Sequence, residues 1–211
     1  MVPKPLPAGL GIIMVMTVSP PLAAGWQPTV APSLTPAHKY WLMRPGALTA
    51  GLRQLGKLDL RVLSEYSQGV PLDEARGMDL TVTRPVWVRE ILMSVDGVDS
   101  VVARSLTPLA ASHGIWQGMR RLRTRPLADM LYHDRTIERS PFVCRRLASP
   151  VPFYATARGV QAEGDHGALW ARRSVFWRAG QPLLVAECFL PEFWRIVQER
   201  AGASLLARSG K

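Results

Sequence analysis

The sequence predicts an α+β protein built on a single antiparallel sheet of about six strands, with helices packed on one face and a buried ligand pocket enclosed between them. Three observations lead there. Two stretches, Pro85 to Pro108 and Leu169 to Pro191, each read as a β-hairpin. Leucines recur at helical spacing after Gly46. No repeated strand–helix–strand unit and no glycine-rich phosphate loop is found, which argues against a parallel sheet and against nucleotide binding.

The first forty residues differ in composition from the rest of the chain. Prolines at 3, 5, 7, 20, 21, 28, 32 and 36 prevent a continuous helix, and the apolar run from Leu10 to Val18 is too short to span a bilayer. Lys4, that run and Ala23-Ala24-Gly25 sketch a secretory signal, but the basic region is thin and prolines crowd both flanks. Residues 1–39 are therefore expected to be a disordered proline-rich tail, 40–191 the folded domain, and 192–211 a helical extension.

From Gly46, Leu48, Leu52, Leu55 and Leu58 form the apolar stripe of a helix. Leu60 to Gln68 and Met78 to Arg84 read as strands around the turn-forming Gly69-Val70-Pro71, with Gly77 as a break. In the hairpin from Pro85, two β-branched and aromatic runs flank Asp96-Gly97, which tolerates the positive φ angles of a tight turn. Ile115 to Leu122 is a short helix candidate. Pro126 suits the first position of another, reaching about His133, because proline there loses no helical hydrogen bond. Phe153 to Ala157 reads as a strand, Ala162 to Asp165 as a loop, and Glu192 to Ala207 as an amphipathic helix.

Candidate chemistry lies in the two hairpins. Alternation puts Arg89 on one face with Trp87, Ile91, Met93 and Val95, and Arg104 sits between Val102 and Leu106. A guanidinium cannot shed its charge, so each needs an anion or a fixed acceptor. Two such cations on adjacent strands could hold the ends of a small dianion. Glu187 is a lone carboxylate in a row with Leu183, Val185 and Phe189, expected to be paired, with Arg89 or Arg173 as partner, or functional. The structural alternative for each arginine is a side chain that snorkels to solvent.

Composition bounds the rest. With 211 residues, 47% of them hydrophobic, one domain with a substantial core is expected. The net charge of +10 comes almost entirely from arginine, and Arg120, Arg121, Arg123 and Arg125 form its densest cluster. No recognisable nucleic-acid-binding pattern accompanies that cluster, so it reads as a solvated face. Cys144 and Cys188 lack metal spacing and fit reduced thiols in the cytoplasm, and four scattered histidines suggest no zinc site.

Trp87-Val88-Arg89-Glu90-Ile91-Leu92, the turn Asp96-Gly97 and Arg104 resemble the first hairpin of the chorismate pyruvate-lyase family. Pro126-Leu127-Ala128-Asp129-Met130-Leu131-Tyr132 with Arg139 is similar to that family's Pro-Leu-Gly-x-x-Leu-Phe segment and downstream arginine, with Ala128 where glycine is usual. Leu169 to Ser174, Pro182 to Leu184, Glu187 and Phe189-Leu190-Pro191 resemble its closing hairpin. The resemblance starts near Tyr40-Trp41 and does not reach Ser140 to Gly167. It implies conversion of chorismate to 4-hydroxybenzoate and pyruvate for ubiquinone synthesis, without cofactor or metal. The chain is further expected to be cytoplasmic and a monomer, with no nucleic-acid partner and no stable membrane insertion.

The same resemblance implies roles. Arg89, with the backbone amides of Leu48 and Leu127, binds the ring carboxylate. Arg104 grips the enolpyruvyl carboxylate and stabilises the leaving group. Glu187 hydrogen-bonds the ring hydroxyl and assists proton transfer. One rival comes from a similar fold, the effector-binding domain of bacterial transcription regulators, which senses a small molecule without changing it. Those regulators carry an upstream helix-turn-helix domain, whereas a proline-rich stretch precedes Tyr40 here.

Overall fold

The structure, a computed structural model, describes residues 25–161 and 167–209, with side chains described as far as Gly202. Helices α1 (Pro36–Met43) and α2 (Leu48–Leu55) lead into strand β1 (Leu58–Gly69), and α3 (Leu72–Met78) precedes the hairpin β2 (Pro85–Val95) and β3 (Val98–Pro108). Short helices α4 (Leu109–His113) and α5 (Ala128–Leu131) flank a 3-10 turn at Gln117–Arg121. Strands β4 (Glu138–Arg139) and β5 (Val143–Arg146), helix α6 (Pro152–Gly159), the hairpin β6 (Trp170–Arg178) and β7 (Gln181–Phe189), and helix α7 (Pro191–Ser209) complete the chain.

All seven strands join one antiparallel sheet in the order β1-β2-β3-β7-β6-β4, with β5 also paired to β6. The two hairpins therefore meet along β3 and β7 at the centre. Asp96 and Gly97 take φ of 50° and 83°, and Ala179 and Gly180 take 45° and 71°, so both hairpins close through two residues with positive φ, as the twist of paired strands favours.

Because β2, β3 and β7 are apolar on both sides, the sheet must be covered on both. Val88, Leu92, Val102, Leu106 and Leu184 pack under α3 and α6 through Ala75, Met78, Phe153 and Ala157. On the opposite face, Ile91, Met93 and Val101 meet α2 and α7 through Leu48, Leu52, Phe193 and Trp194. Farther along that face, Trp87, Phe176 and Leu183 lie under Trp116, Met119, Leu127 and Leu131. Full burial of one such aliphatic or aromatic side chain contributes about 1.5–3 kcal/mol. The α+β class holds, and the helices expected on one face cover two.

Three segments depart from the sequence reading. The segment Met78 to Arg84, read as a strand, does not form one: Met78 closes helix α3, Pro71 caps that helix, Asp73 and Glu74 occupy its first turn, Asp79 ends it at φ 53°, and residues 79–84 turn into β2. Gly77 permits close packing: a Cβ there would come 2.9 Å from Leu184 Cδ1 and 3.2 Å from the Arg173 guanidinium. Phe153 to Ala157 is helical, because Pro152 starts the turn and Phe153 and Ala157, four apart, share its buried side.

Residues 25–39, expected within the tail, pack onto the domain. Trp26 is buried, its indole N–H donates to both Asp73 carboxylate oxygens at 3.2 Å, and Gln27 exchanges two backbone hydrogen bonds of 2.8 Å with Cys144. The guanidiniums of Arg173 and Arg145 stack on the Trp26 ring, at 4.3 and 5.6 Å from its centroid. Residues 1–24, the loop read at Ala162–Asp165, and the side chains of Leu205 and Leu206 lie outside the described residues. Among the described residues no helix is long and apolar enough to cross a membrane.

Candidate active site

A pocket opens on the face of the sheet that carries Ile91 and Met93, with about 550 Å³ of unfilled space, part of it open to solvent. Its floor is two neighbouring rows of cross-strand partners. Ile91, Ala103, Glu187 and Arg172 follow one another across β2, β3, β7 and β6. In the next row, Ser105, Val185 and Ser174 line the pocket, and Arg89 stands beside Ser105 at the row's β2 end. The start of α2 at Ala47, Leu48 and Thr49, the segment Pro126 to Tyr132, and Phe142 supply the walls.

Glu187 and Arg172 are direct partners on adjacent strands, and Arg172 Nε donates to Glu187 Oε2 at 2.6 Å. Arg172 Nη1 also donates to the carbonyls of Trp41 and Arg44 at 3.2 and 2.9 Å, so the C-terminal end of α1 helps hold the buried guanidinium. Among the described residues Glu187 Oε1 has no hydrogen-bond partner and remains an acceptor for a ligand. This answers the pairing question with Arg172, not Arg89 or Arg173. The two-residue turn at Ala179-Gly180 makes residues 172 and 187 face each other, so that signal was present in the sequence.

Arg89 lies on the pocket side of the sheet but does not line the pocket. Its Nε donates to Glu65 at 3.1 Å and its Nη2 to the carbonyl of Arg123. Its Nη1 makes no hydrogen bond among the described residues. Desolvation lowers the Arg89 pKa, and the neighbouring Glu65 opposes that shift. A bulge between Val62 and Ser64 in β1 turns Glu65 toward this face, although Leu58, Leu60 and Val62 precede it at the opposite parity.

Arg104 is on the other side of the sheet. An unbulged Asp96-Gly97 hairpin would make Arg104 the direct partner of Arg89, on the same face. A bulge shifts the register between Met93 and Ser94, so Ser100 is the extra residue, Arg89 pairs with Ser105, and Arg104 pairs with Glu90. A one-residue shift moves a side chain to the opposite face. There Arg104 Nε and Nη2 grip both oxygens of Glu74 at 2.6 and 3.1 Å, and Nη1 meets Glu90 at 2.6 Å and the Tyr66 hydroxyl at 2.7 Å. The expectation that Arg104 and Arg89 pin one ligand is corrected: Arg104 is saturated by buried acids beneath α3.

Leu48 and Leu127 both line the pocket. Ala47, at the cap of α2, offers no side-chain acceptor, so the first N–H groups of that helix remain available beside the pocket. The carbonyl of Leu127 accepts from Met130 and Leu131, while its own N–H has no partner among the described residues. Ala128, which stands where the family usually has glycine, lines the wall.

The far wall carries polar groups that were not singled out as ligands. Tyr132 and Phe142 line it, and Arg139 Nη1 donates to the Tyr132 hydroxyl at 3.1 Å. The guanidinium carbons of Arg139 and Arg172 lie 4.3 and 4.1 Å from the centroid of Phe142. Partial burial pushes the Tyr132 hydroxyl pKa up, against the opposing charge of Arg139, with Glu187 adding to the rise. Tyr132 is therefore a neutral hydroxyl at physiological pH.

The description "Chorismate lyase" belongs to the family whose model matches residues 21–199. A protein of Bordetella pertussis named "Probable chorismate pyruvate-lyase" is 70% identical over 184 residues, covering 87% of this chain and 97% of that one. A Pseudomonas entomophila protein named "Probable chorismate pyruvate-lyase 1" is 37% identical, covering 86% of this chain and 97% of its own length. Among solved structures, the effector domain of PhnF from Mycobacterium smegmatis superposes with a TM-score of 0.50 at 16% identity, covering 70% of this chain and 90% of that one. That last likeness is one of fold.

Proposed function

The chain belongs to the chorismate lyase family, and from that premise we propose that it eliminates pyruvate from chorismate and leaves 4-hydroxybenzoate. The observation that carries the reading is the Arg172-held Glu187 carboxylate in the floor of a largely apolar pocket, with uncapped backbone N–H groups in its walls. In this elimination the ether bond between ring and enolpyruvyl group breaks, and the hydrogen on the neighbouring hydroxyl-bearing carbon leaves as a proton. That proton ends on the methylene carbon of the departing fragment, which becomes pyruvate, while the ring aromatises. Atoms and electrons balance within the substrate, so no redox partner is consumed.

Aromatisation drives the reaction, and the protein's task is to hold a reactive conformer, exclude water and stabilise developing charge. In our proposal the ring carboxylate lies between the N–H groups of Leu48 and Leu127 and the unused Nη1 of Arg89. Glu187 Oε1 accepts from the ring hydroxyl and assists the proton's departure. With strands about 4.8 Å apart and residues about 3.4 Å apart along them, Arg89 and Glu187 leave the backbone roughly 12 Å from each other. Two side chains can bridge that gap to the opposite ends of one para-substituted ring. The role expected of Arg104 at the enolpyruvyl carboxylate is withdrawn, since its guanidinium is committed on the other face.

We extend the proposal to the product's use as the ring precursor of ubiquinone in the cytoplasm, a setting that suits two buried cysteines carried as free thiols. The effector-domain fold likeness favours one rival, a sensor that binds without reaction. Incubating the purified protein with chorismate and following pyruvate with a coupled dehydrogenase separates them. Pyruvate and 4-hydroxybenzoate in equal amounts are expected, and saturable binding without pyruvate release overturns the lyase reading.

A further inference from the structure

We propose that Arg139, presented through Tyr132 and Phe142, forms the subsite for the second carboxylate of the substrate, the one on its enolpyruvyl arm. The inference rests on the lyase reading and supplies the cation that Arg104 does not.

The argument is one of charge and place. Of the arginines around the sheet, Arg89, Arg104, Arg172 and Arg173 each have a carboxylate partner, in Glu65, in Glu74 and Glu90, in Glu187, and in Asp73. Arg139 has none among the described residues: its contacts are the Tyr132 hydroxyl and the Phe142 ring. Both of those residues line the pocket. Arg139 is also the cross-strand partner of Phe176, another lining residue, and so stands on the pocket side of the sheet. It is half-buried, which strengthens its attraction for an anion relative to open water.

The position suits the substrate's shape. Glu187 is assigned the ring hydroxyl, and the enolpyruvyl ether springs from the adjacent ring carbon. The arm therefore leaves the ring beside Glu187. Arg172, the cross-strand partner of Glu187, stacks on the same Phe142 ring as Arg139, so both lead to this wall. Arg172 is neutralised by Glu187, which leaves the wall with the single surplus positive charge of Arg139. A second carboxylate brings that charge to zero. The Tyr132 hydroxyl, which accepts from Arg139, is free to donate its own proton to that carboxylate.

The test uses 4-hydroxybenzoate and two ligands that differ by the arm's carboxylate: 3-methoxy-4-hydroxybenzoate and 3-(carboxymethoxy)-4-hydroxybenzoate. Titration into the full chain should show Arg139→Gln weakening the dicarboxylate by about 10–100-fold, as loss of a charged hydrogen bond predicts, with the affinities of the other two little changed. Chorismate kcat/KM should fall in parallel, and Arg139→Lys should recover much of both losses. Equal weakening of the methoxy and carboxymethoxy ligands, or of neither, overturns the subsite. If Arg139→Gln does not fold, the same affinity ratio in Tyr132→Phe decides the matter. A wild-type protein that releases no pyruvate defeats the lyase reading instead, and the ligand comparison still judges the subsite.

Discussion

Arg104 faces Glu90 across the β2–β3 ladder, with Nη1 2.6 Å from Glu90 Oε1, because Ser100 is an extra residue in β3. With Glu74 on its other edge, this is a buried ion triad on the side of the sheet away from the pocket. Removing the cation leaves two buried carboxylates uncompensated. Arg104→Met is expected to lose about 3–5 kcal/mol in urea unfolding while the folded fraction keeps its kcat/KM. A turnover defect without a stability defect would place Arg104 back in the chemistry.

Arg89→Gln should act on ligand binding. Its Nη1 is the proposed donor to the ring carboxylate, which product retains, so affinity for 4-hydroxybenzoate should drop about 10–100-fold. Isothermal titration measures this directly, and an unchanged Kd removes Arg89 from the site.

The Arg172–Glu187 pair invites a stability–activity separation. Glu187→Gln keeps the shape of the pocket and should lower kcat about 100–10,000-fold, the range of a positioned acid–base group. Arg172→Met alone leaves the half-buried Glu187 without its cation and should destabilise the fold. Arg172→Met combined with Glu187→Leu should recover much of that stability and none of the activity, as apolar replacements of buried pairs often do. Stopped-assay pyruvate yields and thermal melts distinguish these outcomes.

Acid stability should depend on Glu90. Burial alone would raise its pKa, but hydrogen bonds from Thr156 and Ser64 and the charge of Arg104 outweigh burial and hold it below the ordinary carboxylate value. A folded-state pKa below the unfolded one contributes stability above the unfolded value, about 4.3, and that stability is lost as pH falls through the folded value. Urea midpoints measured from pH 6 to pH 3 should therefore fall, Glu90→Gln should flatten this dependence, and Thr156→Val, which brings the folded-state pKa closer to the unfolded one, should make the total fall smaller.

An apolar pocket that keeps the product's carboxylate should release product slowly. Progress curves with chorismate are expected to bend before substrate is exhausted, to bend sooner with added 4-hydroxybenzoate, and to straighten in Arg89→Gln. Linear progress curves for the native chain would contradict retention of the product.

Much of the scaffold was legible in local pattern. Asp96-Gly97 marked one hairpin, the leucines after Gly46 marked α2, and Glu187 in an apolar row called for a partner. Its partner is Arg172 and not the Arg89 or Arg173 expected, although the two-residue turn at Ala179-Gly180 sets that register. Helices α3 and α6 are less legible because short apolar runs suit either element, and the acidic pair after Pro71 and the proline before Phe153 carry the deciding signal.

By itself, then, the amino-acid order determined the antiparallel hairpins, the α+β class and the residue types fit to hold a small anion. Tertiary structure decided which of them share a chamber. In a strand each side chain's face depends on the parity of its position, and the irregularities at Leu63 and Ser100 reverse that parity. The consequence is that Glu65 turns toward Arg89, and Arg104 turns away from it to Glu74 and Glu90. Such bulges are settled by packing against α3 on one side and α2 with α7 on the other, contacts between segments far apart in the chain.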